Sequence, residues 1–206
     1  MNSPIRRSTV LLVLAAACLL SLVACGDNSS SPPVSGPARD LQAAATAMRI
    51  VTTFEFTAKV VTGAQQAQIS GEFASPHNLH ETAQIGAQTV ELIRVGNKTY
   101  TRTAANTPWT LSSGSASSAP ADPRAAFAVL ESAGDVTLAG STYSFTLTGS
   151  AAAALIQGAG TVTGTATLAG GRISALSYKA TTPAVSVDLT YSKFNSAPAI
   201  TLPSGV

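Results

Sequence analysis

Apolar and polar residues alternate along most of this chain, in short runs separated by tight turns. Over 53–60, Phe54, Phe56, Ala58 and Val60 share one face, while Thr53, Glu55, Thr57 and Lys59 share the other. A period of two is that of a strand with one buried and one solvated face. Gly63-Ala64 turns the chain into 66–74, Ser75-Pro76-His77-Asn78 into 79–85, Gly86-Ala87 into 89–95, and Gly96-Asn97 into 98–103. Turns of this length between alternating runs predict an antiparallel meander. The pattern returns at 136–138, 143–148, 161–168, 172–180 and 184–194. Tyr143, Phe145 and Leu147 alternate cleanly, as do Val185, Val187, Leu189 and Tyr191 against Ser186, Asp188, Thr190 and Ser192.

Three stretches break this period. Leu41, Ala44, Ala45 and Met48 stand at i, i+3, i+4 and i+7 in an Ala-rich segment, which predicts an amphipathic helix over 38–50. Asp122-Pro123-Arg124 has the N-cap and first-turn proline of a second helix, carrying Phe127, Leu130 and Glu131 and closed by Gly134. Residues 150–156 (SAAAALI) predict a short third helix. Between them, 106–121 reads as a polar Ser/Ala/Pro loop holding the single tryptophan, Trp109. The expected class is α+β: a long, twisted antiparallel sheet of about ten strands with helices on one face. An open sheet that wide should curl strongly, and strands of about ten residues span roughly 33 Å.

The N-terminus follows a different logic. Arg6 and Arg7 precede an apolar run from Val10 to Leu20, and small residues close it before Cys25. This is the layout of a secretory signal, and the run falls below the roughly 18–20 apolar residues of a bilayer span. Cys18 lies inside the run and would leave with it. Residues 26–37 (GDNSSSPPVSGP) are rich in Ser, Pro and Gly and read as a flexible tether, reaching on the order of 20 Å. The expected organisation is residues 1–24 as signal peptide, 25–37 as Cys25 and tether, and 38–206 as a single folded domain.

Composition narrows the function. The net charge is +2, from 12 Lys and Arg against 10 Asp and Glu. Without Arg6 and Arg7 the balance is 12 − 2 = 10 against 10, formally neutral. No basic stripe suggests nucleic acid as a partner. Two cysteines exclude a disulfide-rich scaffold or a cysteine zinc cluster. The two histidines, His77 and His80, have only Glu81 as a nearby acid and read as a solvated turn. There is no Gly-x-Ser-x-Gly elbow, phosphate loop or HExxH helix, and Gly158-Ala159-Gly160 reads as a hairpin turn. No enzyme activity, metal or cofactor is expected. Arg94, Lys98 and Arg102 make the one basic cluster, fitting either lipid headgroups or ordinary solvated strand positions.

Several motifs resemble a known family. Leu22-Val23-Ala24-Cys25 resembles the lipobox of bacterial lipoproteins, in which the Cys25 thiol is acylated after cleavage before it. Arg94-Val95-Gly96-Asn97-Lys98-Thr99-Tyr100 resembles the Val-Gly-x-x-Tyr hairpin of the actinobacterial LppX/LprA/LprF/LprG lipoproteins. Trp109 and the Asp122-Pro123 helix start follow at matching points. Leu189 to Asn195 (LTYSKFN), then Ala197-Pro198-Ala199-Ile200 and Pro203, resemble that family's closing strand and tail.

The resemblance, covering most of 38–203, implies a half-barrel with helices over its concave face, related in shape to periplasmic lipoprotein carriers. It also implies a cavity that holds acyl chains, palmitate-type acylation at Cys25, anchorage to the outer face of the cell membrane, and transport of an acylated lipid or glycolipid in the cell envelope. The residues expected to wall the cavity are Phe54, Phe56, Val60, Val90, Leu92, Phe127, Leu130, Tyr143, Phe145 and Leu147. A membrane transporter is a possible partner. The alternative is an envelope lipoprotein with a closed core: a sensor, adhesin or accessory protein.

Overall fold

A computed structural model describes residues 36–105, 107–112 and 124–203. The lipobox, the tether up to Ser35 and the Asp122-Pro123 helix start lie outside those residues.

Eleven strands form one antiparallel sheet: β1 Thr53–Thr62, β2 Gln65–Ala74, β3 Asn78–Ile85, β4 Gln88–Val95, β5 Lys98–Arg102, β6 Thr110–Leu111, β7 Gly134–Ala139, β8 Thr142–Thr148, β9 Thr161–Ala169, β10 Arg172–Ala180 and β11 Val185–Ser192. The spatial order is β6-β5-β4-β3-β2-β1-β11-β10-β9-β8-β7, two meanders joined where the first strand meets the last. Among the described residues three helices complete the fold, α1 Pro37–Arg49, α2 Ala125–Leu130 and α3 Gly149–Leu155.

The alternation seen in sequence becomes a two-faced sheet because the registers keep like parity together. Phe54 pairs with Phe73, Phe73 with Leu79 and Leu79 with Arg94. One step along the strands, Tyr191, Phe56, Gly71, Glu81 and Leu92 line up across five strands. Next come Leu189, Ala58, Ile69, Ala83 and Val90, then Val187, Val60, Ala67 and Ile85. The far half contributes Leu176, Ala166 and Tyr143, and Tyr178, Gly164 and Phe145, to the same face.

The helices lie on this face and make the structure an α+β half-barrel. α1 packs on α2 and against β7, β9 and β10, while α3 packs against β8 and β9. Leu41, Ala44, Ala45 and Met48 are all buried, as the helical spacing requires. Phe54 stacks on Phe73 with ring centroids 5.1 Å apart, and Tyr191 meets Phe54 and Phe127 edge-on at 5.7 and 5.3 Å.

The turn after β11 fastens the end of that strand to the start of β1. Asn195, at a φ of 58°, donates its N–H to the Thr53 carbonyl at 2.7 Å. Its Oδ1 accepts from the Thr52 amide and hydroxyl at 2.8 and 3.0 Å. Lys193 Nζ donates to Glu55 Oε1 at 2.7 Å. Asn suits this site because its short side chain tolerates the left-handed region and caps a nearby backbone group.

Three expectations are corrected. α2 ends at Leu130, and Gly134 opens β7 instead of capping a helix, because it pairs with Thr146 of β8. The polar loop contains a short strand, β6, paired to β5, which brings the count to eleven. Gly158 to Gly160 joins α3 to β9, so it is not a hairpin turn.

Two glycines set the curl. A Cβ on Gly71 would meet the Phe56 ring at 2.8 Å, and one on Gly164 would collide with the Phe145 ring and meet the Ser177 carbonyl at 2.6 Å. Neither needs positive φ; what they supply is space for the ring of the phenylalanine paired with them on the neighbouring strand. Gly164→Ala is expected to lower stability by about 1–3 kcal/mol through overpacking. Gly160→Ala, with nothing within 4 Å of its new methyl, should leave it nearly unchanged. Urea midpoints of the two variants check this, and equal midpoints would refute the assigned role of Gly164.

Candidate functional site

The residues expected to line a cavity all map to the apolar face or to α2, but they divide into two groups. Phe54, Phe56, Leu92, Phe127, Leu130, Phe145 and Leu147 belong to one packed core, with Tyr143 at its edge. They touch each other and the helices, so under α1 to α3 the face is filled. Val60 and Val90 lie outside that core.

Val60 and Val90 belong to a second patch. Ala58, Ala67, Ala83, Val90 and Val187 are buried yet outside the core cluster. With Val60 and Ile85 they form two adjacent rows across β11, β1, β2, β3 and β4. The main contacts of the described helices are with β7 to β10, leaving this patch to one side. Alanine and valine dominate its rows, with Ile69, Ile85 and Leu189 among them.

Glu81 stands where the two groups meet. Register places it beside Gly71 and Leu92, on the apolar face, with Leu79 on its core side and Ala83 on its patch side. Among the described residues it makes no hydrogen bond or ion pair. Burial in these surroundings raises its carboxyl from the usual range to about 7, although the charges of Arg94 and His80 pull the other way. The sequence contained the signal, because Leu79, Glu81, Ala83 and Ile85 alternate as one apolar row with an acid in it. Tyr178 holds the corresponding place beside Gly164, and burial pushes its phenol to about 12. Burial also drives the phenol of Tyr191 upward.

The basic cluster expected from sequence is divided between the faces. Arg94 is on the apolar face, only 4 % exposed, and its Nε donates to the His77 carbonyl at 2.7 Å. Lys98 is exposed and pairs in register with Val95, on the other face. Arg102 also lies there, donating to Glu91 Oε2 at 2.5 Å and stacking 4.4 Å over Trp109.

His80 is likewise not in a solvated turn. It sits within β3 and hydrogen-bonds Glu91 Oε1 at 2.9 Å. Burial works against the Glu91 carboxylate, but the hydrogen bonds from His80 and Arg102 outweigh it and hold its pKa below the usual range. Glu91, shared between a histidine and an arginine, fastens the β3–β5 edge.

The polar face carries two open grooves, of about 490 and 280 Å³, one over each glycine bend. Ser144, Thr146, Thr163, Thr165 and Ser177 line the larger, with Asp135 and Asp188. These hydroxyl-lined troughs offer nothing to an acyl chain. No group of three or more His, Cys, Asp or Glu placed to hold a metal occurs among the described residues. No described helix is long and apolar enough to cross a membrane.

The architecture is that of a half-barrel, a curled sheet with helices laid on its inner face. Among solved structures it is similar to LprF from Mycobacterium bovis, at a TM-score of 0.59 and 14 % identity, over 82 % of this chain and 97 % of that one. It is also similar to the lipoprotein LppX from Mycobacterium tuberculosis, at 0.54 and 12 %, over 80 % and 97 %. The chain thus has the LppX/LprF fold, in agreement with the motif resemblance. No family model and no curated protein matches the sequence.

Glu81 makes stability depend on pH in a defined direction. Its folded pKa, about 7, is above its ordinary value of 4.5, so its contribution is complete below about 4.5 and lost as pH rises through about 7. Arg94 and His80 are the charges acting on it, while its cross-strand partners Gly71 and Leu92 are uncharged. Glu81→Gln should remove this slope and gain on the native protein by up to about 3 kcal/mol between roughly pH 5 and pH 8. Urea melts of both proteins at the two pH values measure it. Parallel slopes would show that Glu81 is not desolvated.

Proposed function

We propose that this protein is a lipid-anchored carrier that binds the acyl chains of an envelope lipid or glycolipid on the inner face of its half-barrel. The observation that carries the reading is the patch of Ala58, Val60, Ala67, Ala83 and Val90, an apolar surface in register across β1 to β4 and outside the helix-packed core. Each methylene moved into water costs about 0.8 kcal/mol, so a lipid leaving a bilayer needs a continuous apolar surface over it. β1 and β2, of ten residues each, span roughly 33 Å, and the patch occupies two adjacent rows toward one end of that length. The fold shared with LprF and with the lipoprotein LppX supports the same reading.

On this reading Cys25 is acylated after signal cleavage, and the tether holds the domain at the outer face of the cell membrane. Two or three chains on Cys25 anchor stably where one would not. Cys25→Ser should move the protein from the membrane fraction to the soluble fraction. A variant that still sediments with membranes would show that the anchor lies elsewhere.

A second reading, an envelope lipoprotein with a closed core and no cargo, draws on the packing of Phe54, Phe127, Leu130, Phe145 and Leu147 against one another. Native mass spectrometry after mild detergent extraction separates the two. The carrier copurifies with a diacyl or triacyl lipid, and Ala83→Trp, which fills the patch while sparing the core, lowers its occupancy severalfold. An apo mass from the native protein favours the closed core.

A further inference from the structure

A carboxyl group without a hydrogen-bond partner in an apolar wall is costly unless a partner arrives. Among the described residues Glu81 is such a group. Its neighbours in register are Gly71, whose Cβ position is taken up by the Phe56 ring, and Leu92. Its row separates the packed core from the Ala/Val patch, so its carboxyl marks the inner end of the patch. Glu72 and Glu91, the acids nearest in sequence on β2 and β4, have the opposite parity and face the polar side. Arg94 is two residues beyond Leu92 on the same face and acts on Glu81 through its charge.

Resting on the carrier reading, we propose that Glu81 is the polar contact for the bound lipid, hydrogen-bonding a hydroxyl of a neutral headgroup, glycerol or sugar, at the inner end of the patch. The chemistry favours a hydroxyl over a phosphate. A hydroxyl can donate to the carboxylate and can equally accept from the protonated acid, whereas a phosphate would be repelled by the ionised form, a repulsion that Arg94 on the same face reduces. The apolar patch beside Glu81 then receives the acyl chains, and one contact fixes which end of the lipid lies inward.

The test uses three fluorescent probes with identical acyl chains: a 1,2-diacylglycerol, its 3-O-methyl ether, and the matching phosphatidic acid. Above pH 8, where the Glu81 carboxylate can only accept, the native protein should prefer the diacylglycerol to its ether by about 10–100-fold, the range of a hydrogen bond to a charged group. Glu81→Leu should bind both neutral probes equally, and Glu81→Gln, which can still donate and accept, should retain part of the preference. Circular dichroism confirms that the variants are folded. Undiminished preference in Glu81→Leu, or native affinity greatest for phosphatidic acid, overturns the assignment of Glu81 and leaves the carrier reading standing. Binding of none of the probes or other diacyl lipids by the native protein overturns both.

Discussion

The shape of this molecule depends on two aromatic rings lying where two side chains are missing. Phe56 over Gly71 and Phe145 over Gly164 occupy equivalent places in the two meanders, each ring filling the space that a Cβ would need. An eleven-stranded sheet has to curl, but twist alone does not say where. The ring-on-glycine contacts localise the bend, and they face the same way because register keeps their parity equal. Apolar residues are thereby gathered on the inside of the curve, where α1 and α3 can cover them.

The same device explains the unusual titrating groups. In each half the residue across the next strand from the glycine is polar: Glu81 beside Gly71, Tyr178 beside Gly164. Both are raised in pKa by burial. The residue beside each glycine on the next strand thus stands inside the curve although it is polar. In the far half that place is closed by helices, while in the near half it adjoins the small-residue patch.

Much of this was legible in the sequence, for physical reasons. Period-two alternation with two-residue turns specifies strands and their neighbours almost completely, so most strand limits fall within a residue or two of expectation. Helix α1 was equally clear, since an Ala-rich segment with one apolar stripe has few alternatives. Long-range matters were not legible. Arg94 and Arg102 are close in sequence and on adjacent strands, yet parity sends them to opposite faces, so a basic cluster dissolved into a buried arginine and a surface ion pair. Which apolar residues are covered depends on where the helices settle, and that separated Val60 and Val90 from the other expected wall residues. Glu81 was readable only by treating its strand as a row on one face.

The pairing of β1 with β11 bears on how the chain can be built. Residues such as Thr57 and Thr190, whose hydroxyls meet at 2.7 Å, lie 133 positions apart, so the middle of the sheet forms only when nearly the whole polypeptide is available. Each meander can assemble locally while the chain emerges, but until the last strand arrives each has its innermost edge bare. Such non-local closure makes for slow folding. A chain truncated before β11 would therefore be more than a shortened version of this protein: it would be two half-sheets, each exposing an unsatisfied backbone edge to the other and to any neighbouring chain.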